Sequence, residues 1–270
     1  MSNSLPAPPT AHPGAPFFFL ESFCGKAVLA HACAAVGLAA CGVGFFQTSS
    51  CVGPAVRLDL TSPWAQSMLI EVISCKLSAT VVWLSPPAGT FSKTRSRPIK
   101  QSWREAGVPE SPALRSASEL TGLKSAWQQP DLASQLTRAN ALIDFTFRVV
   151  RLCSSMGVPW YFANPSGSFL WDLPQWGDFK WFDADVALCA YGAPRPNPHR
   201  FRCSNNWLLS LAAQCPGTHK HEPWSPAFSE GRFKGFANGA DAGLPPRLAT
   251  RIADSLRLKA TAHLLGWRIS

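Results

Sequence analysis

The chain has 270 residues, of which 46% are hydrophobic and 15% charged, a balance that excludes a long disordered polymer and allows one substantial core with a small appended region. The formal charge of +9 is unevenly placed: residues 1 to 90 carry three basic and three acidic side chains, so the whole basic excess lies after Ser92. A surface of that sign suits a polyanion such as nucleic acid.

Residues 1–16 hold five prolines and little that packs, and read as a disordered leader. No Lys or Arg occurs before Lys26, so the positive region of a secretory signal is missing. The nine scattered cysteines, mostly in apolar surroundings, then read as reduced thiols of a soluble, intracellular protein. "FFFLES" is a short buried strand ending at Glu21, followed by a turn at Gly25 and a helix of small residues that Gly37 closes. "AACGVGFF" is a second strand. Residues 27–46 are uncharged over a length that would span a membrane, but Gly37, Gly42 and Gly44 divide them into a buried helix and a buried strand. An acidic turn at "RLDLTS", a helix over "SMLIEVISCKL" and a β-branched strand at "SATVVWLS" follow.

Residues 93–130 are polar, basic and rich in Pro and Ser, and read as a long loop. A helix then starts at Asp131, expected to cap it, and ends at Gly157; Leu132, Leu136, Ala139, Ile143, Phe147 and Val150 form its apolar stripe. "VPWYFANP" is a buried strand that turns at Asn164-Pro165. Short strands and turns come next, then a last helix around "PPRLATRIADSLRL". The alternation of strand and helix predicts an α/β fold with a parallel sheet covered on both faces. The expected organisation is one domain over 17–200 and a smaller irregular region over 201–270 that serves in target recognition.

Three expected strands end in special chemistry: "FFFLESFCGK", "VVWLSPPAGTFS" and "PWYFANPSGS". In an open parallel sheet, ligands bind beyond the carboxyl ends of the strands. In this order the stretches, over about residues 17 to 170, resemble the S-adenosylmethionine-dependent DNA cytosine-5 methyltransferases. The resemblance rests on Glu21, Phe23 and Gly25 for the first motif and "DLT" at Asp59. It also rests on Pro86, Pro87, Gly89, Phe91 and Ser92 for the Pro-Pro-Cys loop and Asn164 for the Glu-Asn motif. It implies a doubly wound, Rossmann-like methyltransferase sheet with S-adenosylmethionine as cofactor, held by Glu21, Phe23, Gly25, Asp59 and Pro86, and DNA as partner.

The departures fall on the chemistry. The family's nucleophilic Cys falls on Ala88 and its Glu on Ala163; a further Gly expected at Ala27 and an acidic residue expected near Phe45 and Gln47 are also absent. Cytosine C5 accepts a methyl group only after a thiolate adds at C6 while an acid holds N3. Alanine does neither, so the resemblance implies a methyltransferase-like protein with impaired catalysis. A non-catalytic nucleic-acid-binding protein on the same fold is one alternative. Another is an amino-group methyltransferase, in which Ser85 and Asn164 would accept the amine protons.

Just past this loop, Lys93, Arg95, Arg97, Lys100 and Arg104 could contact phosphates while a base is extruded. Cys215, His219 and His221 have a zinc-ligand spacing that Cys203 or Cys189 would complete. Two histidines that alternate along an extended segment explain that spacing equally well, and the sequence alone assigns no metal there.

Overall fold

The structure is a computed structural model that describes residues 17–45, 51–75, 79–236 and 243–264. The expected leader and Gln47 lie outside the described residues.

The chain opens with strand β1 (Phe17–Ser22), helix α1 (Val28–Ala35) and strand β2 (Ala39–Gly44). The uncharged stretch is thus a helix and a strand, and no helix among the described residues is long and apolar enough to cross a membrane. Strand β3 (Ala55–Arg57), which the sequence pattern does not predict, is three residues long, too short for a periodic signal. Helix α2 (Pro63–Ser74) begins at its proline, where the missing N–H costs nothing. Strand β4 (Ala79–Leu84) follows.

The 93–130 segment is more ordered than a loop. It contains short helices α3 (Gln101–Glu105) and α4 (Lys124–Trp127). Helix α5 (Pro130–Met156) comes next; Pro130 sits at its first position, so Asp131 lies inside the first turn and favours the helix dipole instead of capping it. Gly157 ends α5 in the left-handed conformation, at φ 68°. Then come β5 (Trp160–Pro165), β6 (Phe182–Ala187), β7 (Pro198–Cys203), the hairpin β8 (Pro226–Ser229) and β9 (Arg232–Phe236), and helix α6 (Pro246–Leu264).

Seven strands form one sheet in the order β3-β2-β1-β4-β5-β7-β6. The fold is α/β, but the sheet is mostly parallel instead of wholly so: β7 runs antiparallel to both β5 and β6. A reversed strand needs no crossover helix, which is why the short, turn-rich stretch after β6 suffices to build it. Its register is fixed by cross-strand pairs, with Arg202 on Asp183 and Arg200 on Asp185, each bidentate at 2.7 to 2.9 Å.

The two faces of the sheet bury separate apolar layers. Phe19, Val81, Trp83 and Tyr161 pack with Leu29 and Cys33 of α1 and Leu248, Ile252 and Leu256 of α6. Leu20, Val82, Leu84 and Phe162 pack with Leu69 and Ile73 of α2 and Ile143, Phe147 and Val150 of α5. The boundary expected at residue 200 falls inside β7, and α6 contributes to the main core.

Candidate functional site

Because β1 to β5 run parallel, their carboxyl ends share one edge, and the order reverses between β1 and β4. The loop leaving β1 winds tightly, with Phe23, Gly25 and Ala27 at φ 62°, 53° and 55°. Ala27 thus holds a left-handed backbone without being a glycine, at a cost of roughly 1–2 kcal/mol. Cys24 donates its N–H to Val43 O at 3.2 Å, which brings the loop down onto β2. Glycines at 42 and 44 make room for it: a Cβ at Gly42 would stand 2.9 Å from Cys24 Cβ, and one at Gly44 3.1 Å from Cys24 N.

Glu21 is buried and accepts the Ala30 N–H at 2.8 Å, so its carboxyl faces the first turn of α1. Burial pushes its pKa up to about 7, against the opposing pull of that hydrogen bond. Burial, with the nearby Glu21 charge second, pushes the Cys24 thiol up to about 12, which leaves it protonated and unreactive at neutral pH. Asp59 is tied to the same edge, since Leu58 N donates to Gly44 O at 3.0 Å. Its Oδ1 accepts from Thr61 Oγ1 at 2.7 Å and Thr61 N at 3.0 Å, bonds that hold the exposed carboxyl below its ordinary range. Oδ2 has no hydrogen bond among the described residues.

The β4 and β5 loops meet. Asn164, buried at 3% exposure, donates Nδ2–H to the Pro86 carbonyl at 2.9 Å, while its Oδ1 is buried without a partner. Ser92 and Ser168 form an antiparallel bridge between the two loops, and Lys93 N donates to Gly167 O at 2.9 Å. Ser85 is held from both sides: its N–H donates to Ser22 O at 3.2 Å and its Oγ accepts from Trp83 Nε1 at 2.7 Å. Ala88 is half-buried at the turn, its carbonyl accepting from Phe91 N at 2.8 Å. Ala163 is buried on β5, opposite Phe201 and in the α1/α6 layer.

The basic segment divides into anchored and open charges. Lys93 pairs with Asp172 at 2.7 Å, Arg104 pairs with Glu110 at 2.6 Å, and Arg95 donates to Pro112 O at 3.1 Å. Arg97 and Lys100 are exposed and have no ion pair among the described residues; Lys100 lies over the Trp103 ring. Sequence reasoning missed Arg115. It is buried, stacks on Phe91 with its guanidinium carbon 3.5 Å from the ring centre, and donates to Thr90 Oγ1 at 3.0 Å and to Leu120 O. Nothing in its local sequence distinguishes it from a solvated arginine.

Two surface clefts, of about 350 Å3 around Leu120, Thr121 and Gln175 and about 380 Å3 around Trp160, Phe179 and Asn205, are lined by none of Glu21, Phe23, Gly25, Asp59 or Pro86. Cys215, His219 and His221 gather with Cys189 beyond β6, whereas Cys203 is fully buried on β7, its thiol against Phe201 O. All nine cysteines are free. Comparison with protein-family models and with curated proteins finds no match.

Proposed function

We propose that the chain is an S-adenosylmethionine-dependent DNA methyltransferase-like protein of the cytosine-5 type. On this reading it is built on a doubly wound, Rossmann-like sheet and has lost the groups for covalent catalysis. The observation that carries the reading is the bond from Asn164 to the Pro86 carbonyl. It joins two of the stretches on which the resemblance to that family rests, beside the point where strand order reverses and where open α/β sheets bind their ligands.

The residues fit the cofactor in part. A Cβ at Gly25 would meet nothing within 4 Å, so the loop after β1 leaves open space beside it, and Asp59 keeps one carboxylate oxygen free to accept from an adenine amino group. Glu21 supports this loop from below through α1 and makes no open face of its own. Bound S-adenosylmethionine would supply an electrophilic methyl group. The chain's own residues would orient it, but with Ala88 and Ala163 in place none of them can build electron density at cytosine C5.

Amino-group methylation is the weaker reading, because Ser85 Oγ already accepts from Trp83 Nε1 and Asn164 Oδ1, the atom that would accept an amine proton, is buried. The non-catalytic nucleic-acid binder is favoured over an active enzyme because Ala88 offers no nucleophile and Cys24, in the loop after β1, is a buried, protonated thiol. Calorimetric titration with S-adenosylmethionine tests the proposal. Saturable binding weaker than micromolar, abolished by Asp59→Ala, is expected; no binding at millimolar cofactor rejects it.

A further inference from the structure

We propose that Cys189, Cys215, His219 and His221 form a structural zinc site that fastens the segment ahead of the β8–β9 hairpin to the end of the sheet.

The site is assembled from two separate pieces of chain. Cys189 lies in the short turn Leu188–Tyr191 that follows β6, the last strand of the sheet. The other three come from a segment that meets β6 again at a parallel bridge between Val186 and Ala213, with Ala187 N donating to Ala213 O at 2.7 Å and Ala213 N to Asp185 O at 3.1 Å. Those bonds bring the pieces together before any metal is considered. Gly217, at φ 70°, then turns the chain back so that the two histidines return to Cys215.

The four donor atoms lie within 4.8 Å of one another. A tetrahedral zinc with ordinary Zn–S and Zn–N bonds sets its sulfur and nitrogen ligands about 3.6 Å apart. Cys215 Sγ stands 3.4 Å from His221 Nε2 and 4.0 Å from His219 Nε2, so small movements complete the geometry. The imidazoles are nearly perpendicular, with ring centres 4.7 Å apart, which lets both Nε2 atoms converge without stacking. Gly217 N–H points at Cys215 Sγ from 3.4 Å, the kind of backbone donor that supports a ligating sulfur.

Ligand type and number select the metal and the role. Two sulfurs with two imidazoles suit zinc over magnesium, calcium or manganese, which prefer oxygen. Four protein ligands leave no open position for water or substrate, so the role is structural. Among the described residues, the strip is otherwise held by Glu222 N to Pro194 O at 2.9 Å, by Arg195 on the Pro223 carbonyl and by the ion pair of Glu222 with Arg195. The cluster joins it to the protein just before the hairpin leaves. Being at the edge of the sheet, the site is independent of the cofactor reading.

The test is metal analysis of the full-length protein purified under reducing conditions without chelator. One zinc per chain is expected, lost in Cys215→Ser and in His221→Ala and retained in Cys75→Ser, whose thiol is exposed and remote from the cluster in sequence. Stripped protein reloaded with cobalt should show the intense visible bands of a tetrahedral site and a near-ultraviolet sulfur-to-cobalt band. That spectrum comes from the unaltered chain, so it does not depend on the variants folding. Zinc removal should also raise amide exchange over residues 213–224 more than in β1 or β4. Substoichiometric zinc together with cobalt that gives no sulfur band overturns the proposal, as does zinc that Cys215→Ser retains in full.

Discussion

Asn164 and Pro86, 78 residues apart in the chain, are joined by one buried hydrogen bond of 2.9 Å, from the side-chain amide of the first to the carbonyl of the second. Both lie just where strands of the sheet give way to loops. The bond therefore fixes the spacing between the loop that holds Ala88 and the strand that holds Ala163. Asn164→Asp replaces the donor by an acceptor that faces another acceptor in a buried place. A loss of about 1–3 kcal/mol is expected, the range for leaving a buried polar group unpaired. Urea unfolding measures it, and an unchanged midpoint would show that the bond does not hold the two loops.

Glu21 gives a pH dependence of definite sign. Its pKa rises from an ordinary 4.5 to about 7 because burial disfavours the charged form. The folded state thus holds this proton more firmly than the unfolded chain. The resulting stability is complete below about pH 4.5, declines as pH rises to 7 and is absent above it, a change on the order of 3 kcal/mol. His199, whose pKa burial lowers, acts with the opposite sign, so the informative quantity is the difference between the native chain and Glu21→Gln. Glutamine keeps an acceptor for Ala30 N–H and has no charge to bury. The variant should gain on the native protein between pH 5 and 7; a constant difference across that range contradicts the assignment.

The main strands and the order of the loops were legible because β1 and β5 are nearly continuous apolar runs, buried on both faces. The stripe of α5 was legible for the same reason, since Leu136, Ile143, Phe147 and Val150 do turn inward. What escaped depends on partners distant in the chain. β3 has too few residues for a pattern, and β7 takes its place from antiparallel ladders with β5 and β6, strands far from it in the chain or reached through a turn-rich stretch. Arg115 is buried among Phe91, Thr90 and Leu120, and the gathering of Cys189 with Cys215, where Cys203 stays apart, follows from the fold of β6 and β7. Ala27 is the reverse case: an alanine holds a left-handed backbone, the shape that glycine adopts more readily.

Nucleic-acid binding, if the proposed reading holds, should depend on the open charges and not on the anchored ones. Replacing Arg97 and Lys100 together by Gln removes two exposed cations that have no ion pair among the described residues. The slope of log affinity against log salt should shrink by about 2, near one for each phosphate that is no longer neutralised. Lys93→Gln, whose charge is already paired with Asp172, should move it much less. Equal slopes for both variants would show that these residues are a solvated surface.

Ala88 and Ala163, which the proposed reading places where the nucleophile and the acid would be, lead to the last prediction. The unaltered chain should yield no 5-methylcytosine, because Ala88 offers no nucleophile, Ala163 no acid, and the Cys24 thiol stays protonated. Restoring one group leaves the addition step incomplete, since groups that act as a unit are strongly non-additive. A carboxyl introduced at position 163 would sit on a buried stretch of β5, where burial favours the neutral acid, the form able to hold cytosine N3. A thiol at position 88 would lie at a half-buried turn, open enough to be reached. With cofactor present, Ala88→Cys combined with Ala163→Glu should trap DNA containing 5-fluorocytosine as a covalent adduct stable to denaturation. Ala163→Glu alone should trap none. Adduct formation by Ala163→Glu alone, or 5-methylcytosine made by the unaltered protein, would mean that another residue is the nucleophile and that Ala88 does not mark its place.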